Sequence, residues 1–153
     1  MTRAEFITAF YTNGTRDFQS EDLSGEDLSW CRMEHCDFGS ADLSSADLSN
    51  AGGPCVSLYG ADCTSATMAR VKLRRADLRT CTLTNADLTG ADLRSADLRG
   101  VDLSTATLTG ADLTGALRLI ADTEIDGWEK STTAPEYEVI VDWDDTIQTL
   151  EAD

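Results

Sequence analysis

Residues 86–100 read Ala86-Asp87-Leu88-Thr89-Gly90, Ala91-Asp92-Leu93-Arg94-Ser95, Ala96-Asp97-Leu98-Arg99-Gly100, three near-copies of one five-residue unit. The frame runs outward from this stretch without a slip. Every fifth residue from Phe18 to Leu113 is apolar except Gly53, and from Leu73 onward it is always leucine. Two positions earlier runs a second series of small residues, from Ala41 through Val56, Val71 and Cys81 to Ala111. A period this regular decides the architecture before any motif is considered.

Period five is not helical. At about 100° per residue, successive leucines would land roughly 140° apart and form no stripe. The Ala-x-Leu spacing suits an extended segment, in which alternate residues share a face. Ala and Leu then point inward and the intervening Asp outward. The two remaining positions hold Ser, Thr, Gly, Asn or Arg and suit a corner. Side and corner, repeated, wind an all-β solenoid with a leucine interior. Period five alone leaves three or four sides per coil open. The expected core column includes Leu78, Leu83, Leu88, Leu93, Leu98, Leu103, Leu108 and Leu113.

The pattern Ala-(Asp/Asn)-Leu-x-x, as in Ala41-Asp42-Leu43 and Ala86-Asp87-Leu88, resembles the pentapeptide-repeat family. That resemblance covers residues 16–115 in twenty in-frame units. It implies a right-handed quadrilateral β-helix with four units per coil, hence about five coils here. The lead-in from Phe10 through Tyr11, Gly14, Arg16 and Asp17 to Phe18 resembles that of cyanobacterial members. It implies a source in a cyanobacterium or a phage infecting one.

Three regions follow: an N-terminal capping helix over 1–15, the β-helix over 16–115, and an acidic C-terminal cap or arm over 116–153. Thr2 and Glu5 have capping-box spacing. Phe6, Ile7, Phe10 and Tyr11 share a helical face that should lie on the first coil. Asn13-Gly14 supplies the stop. In the tail, Tyr137 through Trp143 alternates as a strand and should fold back on the last coil.

The net charge is −16, distributed as −8 over residues 16–65, +1 over 66–115 and −9 over 116–153. With no uniform basic surface, direct nucleic-acid binding is not expected. No signal peptide or long apolar run is present, so the chain reads as soluble, cytoplasmic and free of membrane contact. It should be a monomer or an end-to-end dimer. Of five cysteines, Cys31, Cys36, Cys63 and Cys81 fall at inward positions and Cys55 outward, which suits reduced core residues rather than disulfides.

Chemistry-bearing motifs are sparse. Val139 through Thr146 resembles the Asp-x-Asp-x-Thr nucleophile motif of haloacid-dehalogenase-type phosphatases, with Asp142 as nucleophile. Only seven residues follow Thr146, and none is lysine. Cys31, His35 and Cys36 look like metal ligands, but the frame points the cysteines inward and His35 outward. No catalytic group, metal or cofactor is expected, and the chain does not read as an enzyme.

Charge columns are the candidate surface. Residues twenty apart stack if a coil has four units. Asp17, Asp37, Asp77 and Asp97 then share one face, and Asp22, Asp42, Asp62 and Asp102 the next. Stacked like charges repel, so these columns are not expected to stabilise the rod. Arg79 stacks on Arg99 and Arg74 on Arg94. The leading expectation is a non-enzymatic scaffold presenting a charged rod to a protein partner. The alternative rests on the resemblance, since some members of the family mimic DNA with such acidic rods and bind gyrase. Gly53, standing where leucine belongs, is read as a local deviation, with a binding notch as the other reading.

Overall fold

The computed structural model describes residues 1–117 and the backbone of 118 and 138–139. Parallel bridges join residues twenty apart throughout the repeat. Asp17 pairs with Asp37, Asp22 with Asp42, Asp27 with Asp47 and Arg32 with Gly52, and each series continues upward. Twenty residues per turn at period five means four units per turn. The chain is therefore a quadrilateral β-helix.

Each side makes only one bridge per coil, so few residues form strands of any length. The backbone is nevertheless satisfied at four points per unit, the first being Asp87 N, which donates to Ala66 O at 3.0 Å. Leu88 N donates to Thr107 O at 2.8 Å, Gly90 N to Thr109 O at 2.9 Å, and Ala91 N to Leu88 O at 3.0 Å. The last bond closes the corner. Its fifth position takes a positive φ, near 57–62° in thirteen non-glycine residues from Ser20 to Ser95. That left-handed geometry explains why Gly, Ser and Asn recur there.

The core is a continuous column. Leu78, Leu83, Leu88, Leu93, Leu98, Leu103 and Leu113 are at most 2% exposed. Leu108 departs from the column and is only partly buried, as is Ala106 in the same unit. Just before it the coil loosens, and the Asn85 N–H is taken by the Thr105 hydroxyl instead of a carbonyl. Cys31, Cys36, Cys63 and Cys81 are buried free thiols, and Cys55 is exposed.

At the N-terminus, α1 (Arg3–Ile7) carries the reciprocal Thr2–Glu5 capping box. A π-helical turn (Thr8–Thr12) follows. Gly14, at φ 70°, ends it, with Thr15 N reaching back to Ala9 O at 2.9 Å. Phe6 is fully buried, its ring 4.7 Å from Phe18 and 5.9 Å from Phe38. Arg3 ties the helix down, pairing with Asp27 at 2.9 Å and donating its N–H to Glu26 at 2.7 Å. Tyr11 corrects the expected apolar face, being 55% exposed. Beyond Ile7 the wider π turn changes the spacing, and the Tyr11 ring packs edge-on to Phe10 from outside.

Gly53 marks a kink. Gly52 has φ 111°, and a Cβ there would lie 2.3 Å from Lys72 O. A Cβ on Gly53 would meet Glu34 Cγ at 2.6 Å. The missing leucine leaves an internal cavity of about 10 Å³ between Met33, Leu73, Met68 and Val71. That is at most one water-sized space, with an apolar lining, so the place is no ligand notch.

β1 (Leu117–Arg118) pairs antiparallel with β2 (Glu138–Val139). β2 is the described part of the expected tail strand. The remainder of the tail, including the motif around Asp142, lies outside the described residues. Among the described residues no helix is long and apolar enough to cross a membrane.

Candidate interaction surface

The bridges sort the outward residues into four faces. The first carries Asp17, Asp37, Ser57, Asp77 and Asp97. The second carries Asp22, Asp42, Asp62 and Thr82. The third carries Asp27, Asp47, Thr67 and Asp87. The fourth carries Arg32, Gly52, Lys72, Asp92 and Asp112. Asp17, Asp22, Asp42 and Asp62 are exposed, while Asp37, Asp77 and Asp97 are half-buried.

The aspartates have a structural role that the repeat pattern alone did not suggest. In one unit after another, Oδ1 accepts the backbone N–H two residues on. Asp22 takes Ser24 N at 3.0 Å, Asp42 takes Ser44 N at 2.9 Å, Asp62 takes Thr64 N at 2.9 Å, and Asp87 takes Thr89 N at 2.9 Å. These Asx turns satisfy a donor at the corner that the ladder leaves open. The expectation that the columns contribute nothing to stability is corrected accordingly. Stacked charge opposes the rod, but each carboxylate is anchored locally. The signal was present in the Ser, Thr, Asn or Gly that follows most of these aspartates by three residues, Trp30 after Asp27 being an exception.

The same bonds favour ionisation. Hydrogen bonds from Ser24 hold Asp22 below the usual carboxylate value, and those from Ser29 do so for Asp27. Bonds from Thr89 lower Asp87.

Three arginines join this arrangement. Arg79 binds Asp77 in a fork, Nε to Oδ1 at 2.9 Å and Nη2 to Oδ2 at 2.7 Å. It also reaches Asp97 at 3.8 Å and lies 5.3 Å from the Tyr59 ring. Arg99 grips Asp97 the same way, and Arg94 grips Asp92 while approaching Asp112 at 3.5 Å. The arginine bonds lower Asp77 and Asp92. At Asp97 burial works the other way, yet the bonds from Arg99 prevail and its pKa is lowered. Arg74, on the same column as Arg94, is exposed and makes no ion pair among the described residues. Among the described residues the stacked arginines are thus of two kinds: Arg79, Arg94 and Arg99 are ion-paired and Arg74 is not.

The suspected metal ligands do not converge. Cys31 and Cys36 are buried, while His35 is exposed at a left-handed corner. Burial pushes the Cys36 thiol up to about 12 and raises Cys31 as well. Among the described residues no group of three potential ligands could hold a metal ion.

The family described as Pentapeptide repeats matches in eight copies over residues 18–51, 56–85 and 86–116. Among solved structures, the chain is similar to HetL, a pentapeptide repeat protein involved in heterocyst differentiation regulation from the cyanobacterium Nostoc sp. strain PCC 7120. Identity is 31% over 65% of this chain and 54% of that one, with a TM-score of 0.50. It is also similar to the pentapeptide repeat protein Rfr23 from the cyanobacterium Cyanothece 51142, at 31% identity over 59% and 58% of the two chains and a TM-score of 0.51. The aligned region thus spans little more than half of either relative. No curated protein matches the sequence.

Proposed function

Because the chain belongs to the pentapeptide-repeat family, we propose that it is a non-enzymatic scaffold presenting a rigid, charged rod to a protein partner. The rod is a right-handed helix of about five coils over 16–115, capped by residues 1–15, with 116–153 as a second cap or an arm. The observation that carries this reading is the outward order of the surface. Asx turns and forked Asp–Arg pairs hold charged groups on a repeating lattice at about 4.8 Å between coils, whereas the inward residues are aliphatic. Such a surface is pre-organised, which lowers the cost of binding. The regulatory involvement of HetL is the kind of role such a rod suits. The single histidine is an exposed corner residue.

The test is affinity capture with the full chain from its source organism. A partner should be retained in fixed stoichiometry and released by outward substitutions that leave the fold intact. Recovery of no stoichiometric partner, or a turnover that vanishes in Asp142→Asn, would overturn the scaffold.

A second reading is supported by the exposed Asp22, Asp42 and Asp62 column, whose own face carries no lysine or arginine, the Met1 ammonium lying at its Asp22 end. On this reading the rod mimics DNA toward gyrase or another DNA-binding protein.

A further inference from the structure

The fourth face differs from the other three. Together with its two bordering corners it holds six cations, Arg32, Arg70, Lys72, Arg74, Arg75 and Arg94, against three carboxylates. All three carboxylates are engaged. Glu34 pairs with Arg32 at 2.7 Å, and Asp92 and Asp112 share Arg94 at 2.7 and 3.5 Å. Arg70, Lys72, Arg74 and Arg75 are exposed and make no ion pair among the described residues. Arg74 is close enough to Asp92 to help lower its pKa. Four exposed cations on one coil with no ion pair among the described residues are anomalous in a chain of net charge −16.

Trp30 lies on the same edge as Arg70, two coils away. The corner carries Trp30, Asn50, Arg70 and Gly90 in order, linked by Trp30 N to Ser49 O and Asn50 N to Ala69 O, each at 2.9 Å. Trp30 is 72% exposed and has φ 62°. Both features disfavour tryptophan. A bulky residue is rare in the left-handed region, and its ring gains little from burial in this protein. Asn and Gly serve the same corner elsewhere. Trp30 therefore contributes little to the fold, and tryptophan beside arginine is the usual composition of a binding hot spot.

Between the Arg32 and Lys72 coils, Gly52, Gly53 and Pro54 present almost no side chain. The kink that Gly52 requires, with Lys72 O at 2.3 Å from a built Cβ, keeps this step low. A chain could lie along the face past it without meeting a protruding residue.

The geometry points to the fourth face as a docking site for an acidic segment of a partner protein. Arg70, Lys72, Arg74 and Arg75 meet its carboxylates, and Trp30 meets an apolar residue about three positions away in an extended segment, the span of two coils. This rests on the scaffold reading and names its surface and the chemistry of its partner. A peptide fits better than nucleic acid. The positive patch is one coil deep and flanked by acidic faces, which would repel a polyphosphate running past it.

The experiment titrates the full chain with a fluorescein-labelled oligoglutamate peptide carrying one leucine, followed by anisotropy. Binding should weaken about tenfold in Lys72→Gln/Arg74→Gln, and weaken further with salt. Arg79→Gln/Arg99→Gln removes the same number of charges from paired arginines and should change affinity less than about twofold. Trp30→Gly should weaken binding about tenfold while leaving the thermal midpoint unchanged or higher. Lys72 is one of two lysines in the chain, the other being Lys130, so carbodiimide cross-linking of the peptide should map to Lys72. Equal losses in the two double variants, or no binding, would overturn the proposal. So would cross-links from Lys72 to carboxylates of residues 119–153, which would make the chain's own tail the occupant, or displacement of the peptide by an oligonucleotide at lower concentration. A captured partner whose affinity ignores these substitutions would overturn this face and leave the scaffold standing.

Discussion

Asp97 accepts three hydrogen bonds from Arg99: the backbone N–H at 3.2 Å, Nε at 2.8 Å and Nη2 at 2.6 Å. One carboxylate thus closes a corner and neutralises a cation that would otherwise face solvent. Most outward aspartates do the first of these; Asp77 and Asp92 also do both with the arginine two residues on, Asp27 does both with Arg3, and Asp112 does both with Arg94. This division separates carboxylates that only close a corner from those that also hold a cation.

Acid should destabilise the rod, and the window follows from the signs. Asp22, Asp27, Asp77, Asp87, Asp92 and Asp97 all have folded pKa values below the ordinary 3.8. Their stabilising contribution is complete above 3.8 and is lost as pH falls through the lower folded values. The thermal midpoint should change little between pH 7 and 5 and drop below about pH 4. A midpoint that rises steadily down to pH 3 would mean that relief of charge repulsion outweighs the turns.

The Asx role separates charge from geometry. Asp87→Asn keeps an acceptor oxygen for Thr89 N–H, and Asp87→Ala removes it. The alanine variant should lose about 0.5–1.5 kcal/mol, and the asparagine variant much less, in urea unfolding. Equal losses would assign the effect to charge.

At the N-terminal end, Phe6→Ala should cost about 3–5 kcal/mol, because the ring is fully buried between Phe18 and Phe38. The variant should also expose the edge of the first coil and promote association, read by light scattering. A monomer of unchanged midpoint would show that the helix is not a cap.

The cavity beside the kink permits a paired test. Gly53→Ala should destabilise, since its Cβ would overlap Glu34 although space lies empty nearby. Val71→Ile points into that space and should raise stability by about 0.5–1 kcal/mol. The opposite order would contradict the local backbone.

The fold was legible in the sequence because period five and the Ala-x-Leu spacing leave an extended, cornered solenoid as the consistent solution. The four-fold closure was not, since it came from the resemblance and from the bridges between residues such as Asp17 and Asp37. The site was only half legible. Counting charges placed Arg74, Arg79, Arg94 and Arg99 in columns, but a column does not say which guanidinium a carboxylate holds. Pairing depends on side-chain reach across one corner, as Arg79 shows by gripping Asp77 while Arg74 has an exposed Lys72 two residues before it. Trp30 carried no signal as an interaction residue until its corner and its φ were known.

The DNA-mimic reading makes its own demand. Replacing Asp22, Asp42 and Asp62 by Asn should abolish any inhibition of gyrase supercoiling while circular dichroism stays unchanged. Inhibition should also fade as salt rises. No inhibition at micromolar protein removes gyrase as the target.

As a scaffold, the proposed rod would bind a protein through its outer surface. The most direct measurement is calorimetric titration of the full chain with the partner it captures, beside Leu93→Asp, which buries an unpaired charge at a fully buried position and should unfold the rod. Saturable binding of fixed stoichiometry is expected of the folded chain and should be lost in Leu93→Asp. Binding that persists in the unfolded variant would contradict it, because the partner would then recognise a flexible segment rather than the rod.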